Sequence, residues 1–356
     1  MNSFTSRLQT LAQRLPDQLT EPDKATLEAI YQQCLSTIDE PEAMFGYVLT
    51  KAMRKHVSGE QSNEHIYVQK FEIPQIRLFE LLIQQLPLAA LTQRCANALL
   101  VEGLKKAENP VLMDIGIGTG MQIVNVLHLL AKQPGCQVKQ VTVIGIEPFA
   151  DALQTAEKSL AALQLPFQVM FVPLVAFIEK MILAEIQALL PSHYDTLFIN
   201  ASFALHHIQQ VTQRETVFGY IRDLAPKAFI LSEPVSDHFE SHYATRFQNA
   251  VKHYGLVFEV IDSLEITDKE KAALKLFFSR EIDDVLGHTE AVRVEKQYAP
   301  QQWLDLFKTV GFTLEKPTVS FDIQEKNGVD LRTDLPDRYA VVFKDEEITN
   351  VYRATT

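Results

Sequence analysis

The stretch Val111-Leu-Met-Asp-Ile-Gly-Ile-Gly-Thr-Gly-Met-Gln122 decides the fold of this chain. A short apolar run ends at Asp114 and enters a turn that holds Gly116, Gly118 and Gly120, and a helix-length apolar segment follows. Glycine tolerates positive φ and lets the backbone approach a ligand closely. The helix that follows points free N–H groups and the positive end of its dipole at the turn. The pattern predicts a ligand-binding turn between a buried strand and a helix.

Glycine is scarce elsewhere in the chain, which makes this cluster stand out. The sequence has 13 glycines in 356 residues, whereas average usage would give about 25. Hydrophobic residues make up 47% and charged residues 22% of the chain. This composition is that of a globular protein and excludes a disordered chain, which lacks the apolar area that folding requires. We therefore expect function at the glycine cluster.

Strand-length and helix-length segments alternate from residue 111 onward. Five apolar runs have strand length, at 111–116, 141–147, 168–173, 196–201 and 228–233. They lack strict polar alternation, as expected for strands that are buried on both faces. Helix-length segments such as 121–132 and 151–163 separate them. This alternation predicts an α/β fold with right-handed crossovers and a mostly parallel sheet.

The rest of the chain divides into helical segments and a β-rich tail. Residues 1–107 have helical periodicity, and so do residues 237–290 and 303–310. Two β-rich runs lie at 314–321 and 339–343, with the turn signal Asn327-Gly328 between them. We predict N-terminal helices at 1–107, a Rossmann core with the cofactor loop at 108–236, a helical insert at 237–290, and a C-terminal part of the core with two β-strands at 291–356.

A second acid accompanies the glycine turn. Glu147 ends the second strand in Ile144-Gly-Ile-Glu-Pro148, where a carboxylate accepts hydrogen bonds from ribose hydroxyls. The third glycine comes one residue earlier than in the dinucleotide fingerprint, and Asp114 precedes the glycines. This order is typical of S-adenosylmethionine sites of the Rossmann type. A nicotinamide cofactor and a tight turn without a ligand remain alternatives. The predicted cofactor-binding residues are Asp114, Gly116, Gly118, Gly120, Gln122 and Glu147.

The segment after the fourth strand supplies the candidate catalytic residues. Asn200-Ala-Ser-Phe-Ala-Leu-His-His-Ile208 follows that strand, and the carboxyl ends of parallel strands line one crevice. We predict that Asn200 contacts the cofactor or substrate, that Phe203 forms an apolar wall, and that His206 is a general base. Adjacent helical positions differ by about 100°, so at most one of His206 and His207 is expected to face the pocket. The alternative is one packed and one exposed histidine.

The charge and the cysteine content of the chain indicate which classes of binding partner and which cellular compartment to expect. The net charge of −12 argues against nucleic-acid binding, because an acidic surface repels phosphate. Cys34, Cys95 and Cys136 form no CxxC and no disulfide framework, which predicts a cytoplasmic protein. His238 and His242 are four residues apart but have no evident third ligand, so we predict no metal. We expect no membrane contact, and a homodimer stays open.

Several motifs resemble those of the GRAS family from about residue 45 to the C-terminus. The segment LFINASFALHH at 197–207 and the segment SEPVSDHFESHYATRF at 232–247 look like two of its signatures. Arg280-Glu-Ile, Arg293-Val-Glu, Trp303 and Gly311-Phe match others at similar spacing. Plant members usually lack most of the glycine loop, which is complete here. The sequence is therefore most similar to bacterial members.

The resemblance implies a fold, a function and roles for the arginines. It implies a class I methyltransferase sheet whose last strand is antiparallel, with a cap formed by the N-terminal helices and the insert. It implies an S-adenosylmethionine-dependent methyltransferase that acts on a small-molecule substrate. The alternative is a non-enzymatic small-molecule-binding or protein-interaction regulator, and a DNA-binding regulator is the third possibility. Pairing of Arg246, Arg280 and Arg293 with Glu281 or Glu295 would join cap to core.

Overall fold

A computed structural model describes residues 3–15, 19–38, 40–59, 75–316, 319 and 326–356 of the protein. The α-helices of this part are α1 (Ser3–Ala12), α2 (Glu21–Ser36), α3 (Pro41–Ser58), α4 (Gln75–Gln84), α5 (Pro87–Leu104), α6 (Met121–Ala131), α7 (Ala150–Ala161), α8 (Leu183–Gln187), α9 (Val211–Asp223), α10 (Tyr243–Asp262), α11 (Asp268–Gly287) and α12 (Pro300–Val310). The strands are β1 (Pro110–Ile115), β2 (Gln140–Glu147), β3 (Gln168–Val175), β4 (Thr196–Ser202), β5 (Ala228–Pro234), β6 (Thr313–Leu314), β7 (Val329–Arg332), β8 (Tyr339–Phe343) and β9 (Glu346–Thr355).

These strands form one mixed sheet in the order β3-β2-β1-β4-β5-β9-β8-β7, and β6 pairs with the end of β9. The strands β3, β2, β1, β4 and β5 are parallel, and β9 lies antiparallel between β5 and β8. The predicted fold class, a Rossmann-like α/β sheet with an antiparallel last strand, is confirmed. The five parallel strands lie within two residues of the predicted runs. Four of them are buried along most of their length and are continuous apolar runs, whereas β3 at the sheet edge is half exposed.

Each face of the sheet carries its own apolar core. Leu112, Phe198 and Ile230 point to the face that α5, α6 and α7 cover. Their neighbours along the strands, such as Ile199 and Phe229, point to the opposite face with residues of α9 and α12. Side chains alternate between faces along a strand, so the last residues of β1, β4 and β5 are also divided between the two faces.

A third apolar core belongs to a helical unit. Residues of α1, α2 and α3 pack with residues of α10 and α11 in one buried cluster. The division of the chain into cap and core stays a prediction, but α5, which lies within the predicted N-terminal helices at 1–107, packs on the sheet. Gly103 of α5 shows how closely, since a Cβ built there would lie 2.3 Å from the Phe198 ring. The position of the helical unit over the pocket stays a prediction.

The described residues of the C-terminal part of the core form four strands where the sequence predicts two. Asn327 and Gly328 do form a turn with φ of 56° and 74°, as type I′ hairpin turns require. The turn joins Lys326 to β7, whereas the prediction places it between 314–321 and 339–343. Part of the run 314–321 lies outside the described residues. The long β9, EEITNVYRAT, has a polar start that local hydrophobicity does not mark as a strand.

Two further predictions concern the environment of the chain. Among the described helices, none combines the length and the apolar composition that a bilayer crossing requires. Cys34, Cys95 and Cys136 are free thiols. The cytoplasmic location and the homodimer stay predictions.

Candidate functional site

The glycine turn between β1 and α6 is built from left-handed residues. Gly116, Gly118 and Gly120 have φ of 79°, 54° and 76°, a region in which other residues are strained. A Cβ built at Gly120 would lie 2.9 Å from the Ala156 Cβ, so the loop also packs tightly against α7. A Cβ built at Gly118 would meet nothing within 4 Å. Gly118 is thus needed for its backbone shape and leaves room beside the loop.

A chain of polar side chains runs from the end of β1 to α5. The Asn200 amide Nδ2 donates to Oδ1 of Asp114 at 2.7 Å and lies 3.4 Å from Oε1 of Gln122. Gln122 in turn donates from Nε2 to Oδ1 of Asn97 at 3.1 Å. The register of β1 and β4 places Asp114 directly beside Asn200. Sequence reasoning predicts Asp114, Gln122 and Asn200 as one site, and the structure brings the three together.

Two side chains of this polar series, Asp114 and Asn200, are buried without enough hydrogen bonds or opposite charge to offset the loss of water. Asp114 is 3% exposed and, within the described ranges, forms no ion pair. Burial raises its pKa to about 7, the Asn200 hydrogen bond opposes the rise, and the charge of Glu147 adds to it. Asn200 Oδ1 is also buried and has no hydrogen-bond partner among the described residues. Buried polar groups without partners cost free energy, so both mark a place where a ligand's donor would be favourable.

Glu147 closes the second strand against the glycine loop. Its carboxylate accepts hydrogen bonds from the backbone N–H of Gly118 at 2.9 Å and of Phe149 at 3.1 Å. Burial raises the pKa of Glu147, and the two N–H donors and the charge of His207 oppose the rise. Each carboxylate oxygen has two lone pairs, so both oxygens can still accept from hydroxyl groups.

The segment after β4 turns sharply at Phe203. Phe203 has a φ of 54°, which is rare for a bulky residue, and it is partly exposed. A short 3-10 turn follows at Leu205–His207. The expectation that at most one of the two histidines faces the cofactor pocket stays a prediction, but both histidines contact one carboxylate. The ring centroids of His206 and His207 are 4.0 Å apart, and both Nε2 atoms lie 3.1 Å from the carboxylate of Glu295.

His206 lies between two buried carboxylates. Its Nδ1 is 2.5 Å from Oε2 of Glu233, and its Nε2 is 3.1 Å from Oε2 of Glu295. Burial alone lowers the pKa of His206, but the charges and hydrogen bonds of Glu233 and Glu295 outweigh it and raise the pKa to about 10. At neutral pH both ring nitrogens are therefore protonated and donate. This geometry does not support the predicted general base.

The 3-10 turn that contains His206 and His207, the histidine turn, is hydrogen-bonded by Glu233 at its start and by Arg214 at its end. The second oxygen of Glu233 accepts from the backbone N–H of Leu205 at 2.8 Å and of Ala204 at 3.3 Å. Arg214 is fully buried and donates to the carbonyls of His206 and Ile208. These contacts fix the histidine rings against the sheet.

Among the described residues, Arg246 and Arg293 do not form the predicted ion pairs with Glu281 or Glu295. Arg246 donates to the carbonyls of Val285, Glu240 and Ser241. Arg293 donates to the carbonyl of His238 and pairs with Glu290. Glu295 is bound by the histidines instead, and Glu281 accepts from the Tyr254 hydroxyl. These arginines bind backbone carbonyls because a guanidinium offers five donors and buried turns present several carbonyl oxygens.

The histidines at 238 and 242 do not form a metal pair. His238 is buried with its Nε2 3.0 Å from the Ser236 hydroxyl. His242 precedes α10 and contacts Thr245 instead. Within the described part of the chain, a different group brings possible metal ligands together: His206, His207 and Glu295 have donor atoms within 4.8 Å of one another.

The comparisons with known proteins identify the family. The GRAS domain family matches residues 4–349. The chain belongs to the GRAS family. DELLA protein 2 of Medicago truncatula is 25% identical over 227 residues, which cover 61% of this chain and 42% of that protein. The Scarecrow-like transcription factor PAT1 of Arabidopsis thaliana is 24% identical over 236 residues, with 61% and 47% covered. The chain spans about half the length of the curated relatives it matches.

A solved GRAS structure supports the fold. The crystal structure of SCL7 from Oryza sativa matches with a TM-score of 0.80 at 16% identity, and it covers 99% of this chain and 100% of that chain. At this identity the likeness shows the fold alone. Solved methyltransferases match with TM-scores of 0.39 to 0.49, which carry no argument.

These relatives overturn the prediction of an enzyme. The similar GRAS proteins are named as DELLA and Scarecrow-like proteins, one of them as a transcription factor and none of these three as an enzyme. The predicted methyltransferase that acts on a small-molecule substrate is therefore wrong, whereas S-adenosylmethionine as a bound molecule stays a prediction. The prediction is wrong because the glycine loop indicates that a ligand binds but does not indicate that the ligand reacts. The absence of nucleic-acid binding stays a prediction.

Sequence reasoning missed Asn97, Glu233 and Glu295 as members of these clusters. Glu233 ends a strand next to the crevice, as Asp114 and Glu147 do, and that position could have marked it. Glu295 lies in an irregular segment between α11 and α12, and no local signal connects it to the histidines. Asn97 sits in the middle of an apolar helix, where a polar residue without an exposed face indicates a buried partner.

Proposed function

We propose that this GRAS protein is a non-enzymatic regulator that binds a small ligand in the crevice beside Gly118 and does not transform it. The observation that carries the proposal is the pairing of the left-handed glycine loop with two buried carboxylates, Asp114 and Glu147, that have raised pKa values and no ion pair among the described residues. A loop that served only as a tight turn would not need buried acids at both strand ends.

The polar groups define the ligand that fits. Asp114 and the unpartnered Oδ1 of Asn200 call for a donor, and an ammonium group satisfies both and offsets the buried charge. Glu147 accepts from a pair of hydroxyls, such as a ribose diol. The N-terminal turn of α6, after Gly120, favours an anionic group. S-adenosylmethionine carries an ammonium, a carboxylate and a ribose, and we propose it as the ligand.

The role of regulator rests on the relatives and on the histidine turn. The relatives named above are regulators, which favours a binding function without chemistry. His206 supports this view because its two ring nitrogens are held by Glu233 and Glu295, which leaves no lone pair to accept a proton from a bound molecule. The ligand would thus act as an effector on the surfaces through which the protein meets its partners.

Isothermal titration calorimetry of the full chain with S-adenosylmethionine tests the proposal. We expect saturable heat for the native chain and none for Asp114→Asn, which keeps the shape and the acceptor for Asn200. Asp151→Asn is the matched control, since Asp151 is exposed on the first turn of α7. Chromatography should recover S-adenosylmethionine unchanged after long incubation. No heat at millimolar ligand with folded protein would overturn the proposal.

The pH dependence of this binding is a second check on the same site. The pKa of Asp114 is about 7 without a ligand, so its carboxylate forms over the neutral range. A cationic ligand requires the charged carboxylate, and affinity should therefore rise as pH increases through about 7. An affinity that stays constant over this range would mean that the ligand does not pair with Asp114.

A further inference from the structure

His206, His207 and Glu295 converge from separate parts of the chain. The histidines follow β4 in the 3-10 turn, and Glu295 lies in the segment between α11 and α12. Both Nε2 atoms lie 3.1 Å from oxygens of the same carboxylate, and the three donor atoms fall within 4.8 Å of one another. Zinc bonds of about 2.0 to 2.1 Å would set tetrahedral ligand atoms about 3.3 Å apart. The two nitrogen–oxygen distances of 3.1 Å are close to that value, and the group as a whole, within 4.8 Å, would have to contract around the ion.

The groups behind these three side chains hold them in a ligating orientation. Glu233 lies 2.5 Å from Nδ1 of His206, and a carboxylate on the remote nitrogen is the usual partner of a metal-bound histidine. The backbone N–H groups of Glu295 and Val294 both donate to Oδ2 of Asp284, at 2.7 Å and 2.9 Å. Both the imidazole of His206 and the backbone at Glu295 are therefore fixed before any ion arrives.

The charge around the cluster favours a cation. Glu233, Glu281, Asp284 and Glu295 are all buried, with exposures of 9% or less. The carboxylate of Glu295 is bound by imidazoles, whereas the nearby guanidinium of Arg293 donates to backbone carbonyls and to Glu290. Asp284 is paired with His288, which leaves the carboxylates of Glu233 and Glu295 beside the two imidazoles, and a divalent ion that replaces the imidazole protons balances these two charges.

We propose that His206, His207 and Glu295 bind a divalent transition metal ion, with zinc as the fitting choice. Two imidazoles and one carboxylate are a donor set that zinc takes in proteins, and three protein ligands leave a fourth position for water. The side chain of His207 is 24% exposed, so water and the ion reach the cluster from its side. The ion replaces the protons on the two Nε2 atoms, which pass to solvent. The site is independent of the ligand proposed above.

Metal content and spectroscopy of the full chain test this site. The protein is stripped with chelator and dialysed against zinc chloride, and bound metal is measured by mass spectrometry. We expect one zinc per chain, and a visible d–d absorption after exchange for cobalt. His207→Ala is the primary variant because His207 is partly exposed and its loss should leave the fold intact. His193→Ala, at an exposed loop histidine, is the matched control and should retain the metal.

A supporting variant tests the orientation of the ligand. Glu233→Gln keeps the acceptor for the turn but removes the charge behind His206, and loss of such a partner typically weakens metal binding about 10- to 100-fold. Circular dichroism confirms that each variant is folded before metal is added. No zinc on the native chain at micromolar free zinc would overturn the proposal. So would full zinc binding by His207→Ala, which would place the ion on other groups.

Discussion

Two clusters of buried carboxylates lie at the same edge of the sheet but on opposite faces. Asp114 and Asn200 follow Leu112 and Phe198 by two residues and so share the face that α5 and α6 cover. Glu233 follows Phe229 and Leu231 in the same alternation and shares the other face with Trp303. The first cluster has raised carboxyl pKa values and no ion pair among the described residues. The second is saturated by histidines and backbone N–H groups.

This difference distinguishes a cluster whose carboxylate ionises at a cost from one whose carboxylate is stabilised in its ionised form. Burial alone would raise the pKa of Glu295, but the charges and hydrogen bonds of His207 and His206 hold it well below its usual range. The second cluster therefore stabilises the fold in its ionised state. Asp114 is destabilised when it ionises, and a buried acid of this kind beside a crevice is typical of a functional site. The variants below break one cluster at a time.

Removal of a charge from the saturated cluster should have the largest effect. Glu233→Gln leaves His206 with one carboxylate and weakens the cap on the histidine turn, so we expect the free energy of unfolding to fall by about 3 to 5 kcal/mol. Urea denaturation measures it. The exposed Glu157 of α7 gives the control, and Glu157→Gln should change stability by less than about 0.5 kcal/mol. A cost for Glu233→Gln no larger than this control would contradict the saturated view of the cluster.

Removal of the Asp114 charge from the first cluster should raise the free energy of unfolding instead of lowering it. Asp114 has a pKa of about 7 in the folded chain against an ordinary 3.8. The folded state thus holds this proton more tightly, and its contribution to stability is lost as pH rises from about 4 to about 7. The difference between the two pKa values corresponds to at most about 4 kcal/mol. Without ligand, Asp114→Asn should therefore be more stable than the native chain above neutral pH.

Stability curves of both proteins against pH measure this difference. The native-minus-variant difference isolates Asp114 from the other titrating groups. It should become more negative from about pH 4 to about pH 7 and then level off. Saturating S-adenosylmethionine should remove much of the difference, because an ammonium supplies the missing charge. A flat difference would show that Asp114 has an ordinary pKa and that the clusters do not differ in this respect.

Alanine substitutions at three glycines distinguish lost ligand contact from added backbone strain. Each should lower the free energy of unfolding by about 1 to 2 kcal/mol. Gly118→Ala and Gly135→Ala both place alanine at a left-handed φ with nothing within 4 Å, so each should cost about 1 kcal/mol. Only Gly118→Ala should weaken binding of S-adenosylmethionine. Gly120→Ala should cost more than either, since its Cβ would press on Ala156. Equal binding by Gly118→Ala and Gly135→Ala would place the ligand away from the loop.

The sequence predicts the first cluster well and the second poorly, and the reason is physical. Asp114, the glycines and Glu147 lie at the ends of adjacent strands, where strand order alone brings them together. Glu295 joins His206 across 89 positions from a segment with no regular structure. Contacts of this kind depend on how the helices pack, which periodicity does not contain. The same limit explains β9, whose pairing with β5 depends on the whole sheet rather than on its own hydrophobicity.

Phe203 marks the place where the chain passes from one cluster to the other, and it should give the smallest effect. Asn200 faces one side of the sheet and His206 the other, and the left-handed φ of 54° at Phe203 makes the crossing. At most positions glycine is less stable than alanine by about 0.5 to 1 kcal/mol. Here we expect Phe203→Gly to be more stable than Phe203→Ala by about 1 kcal/mol, because only glycine relieves the strain. Both variants lose the same ring, so packing cancels in the comparison, which thermal or urea denaturation can resolve. If alanine is the more stable of the two, the crossing is not strained, and the separation of the two clusters has another origin than this turn.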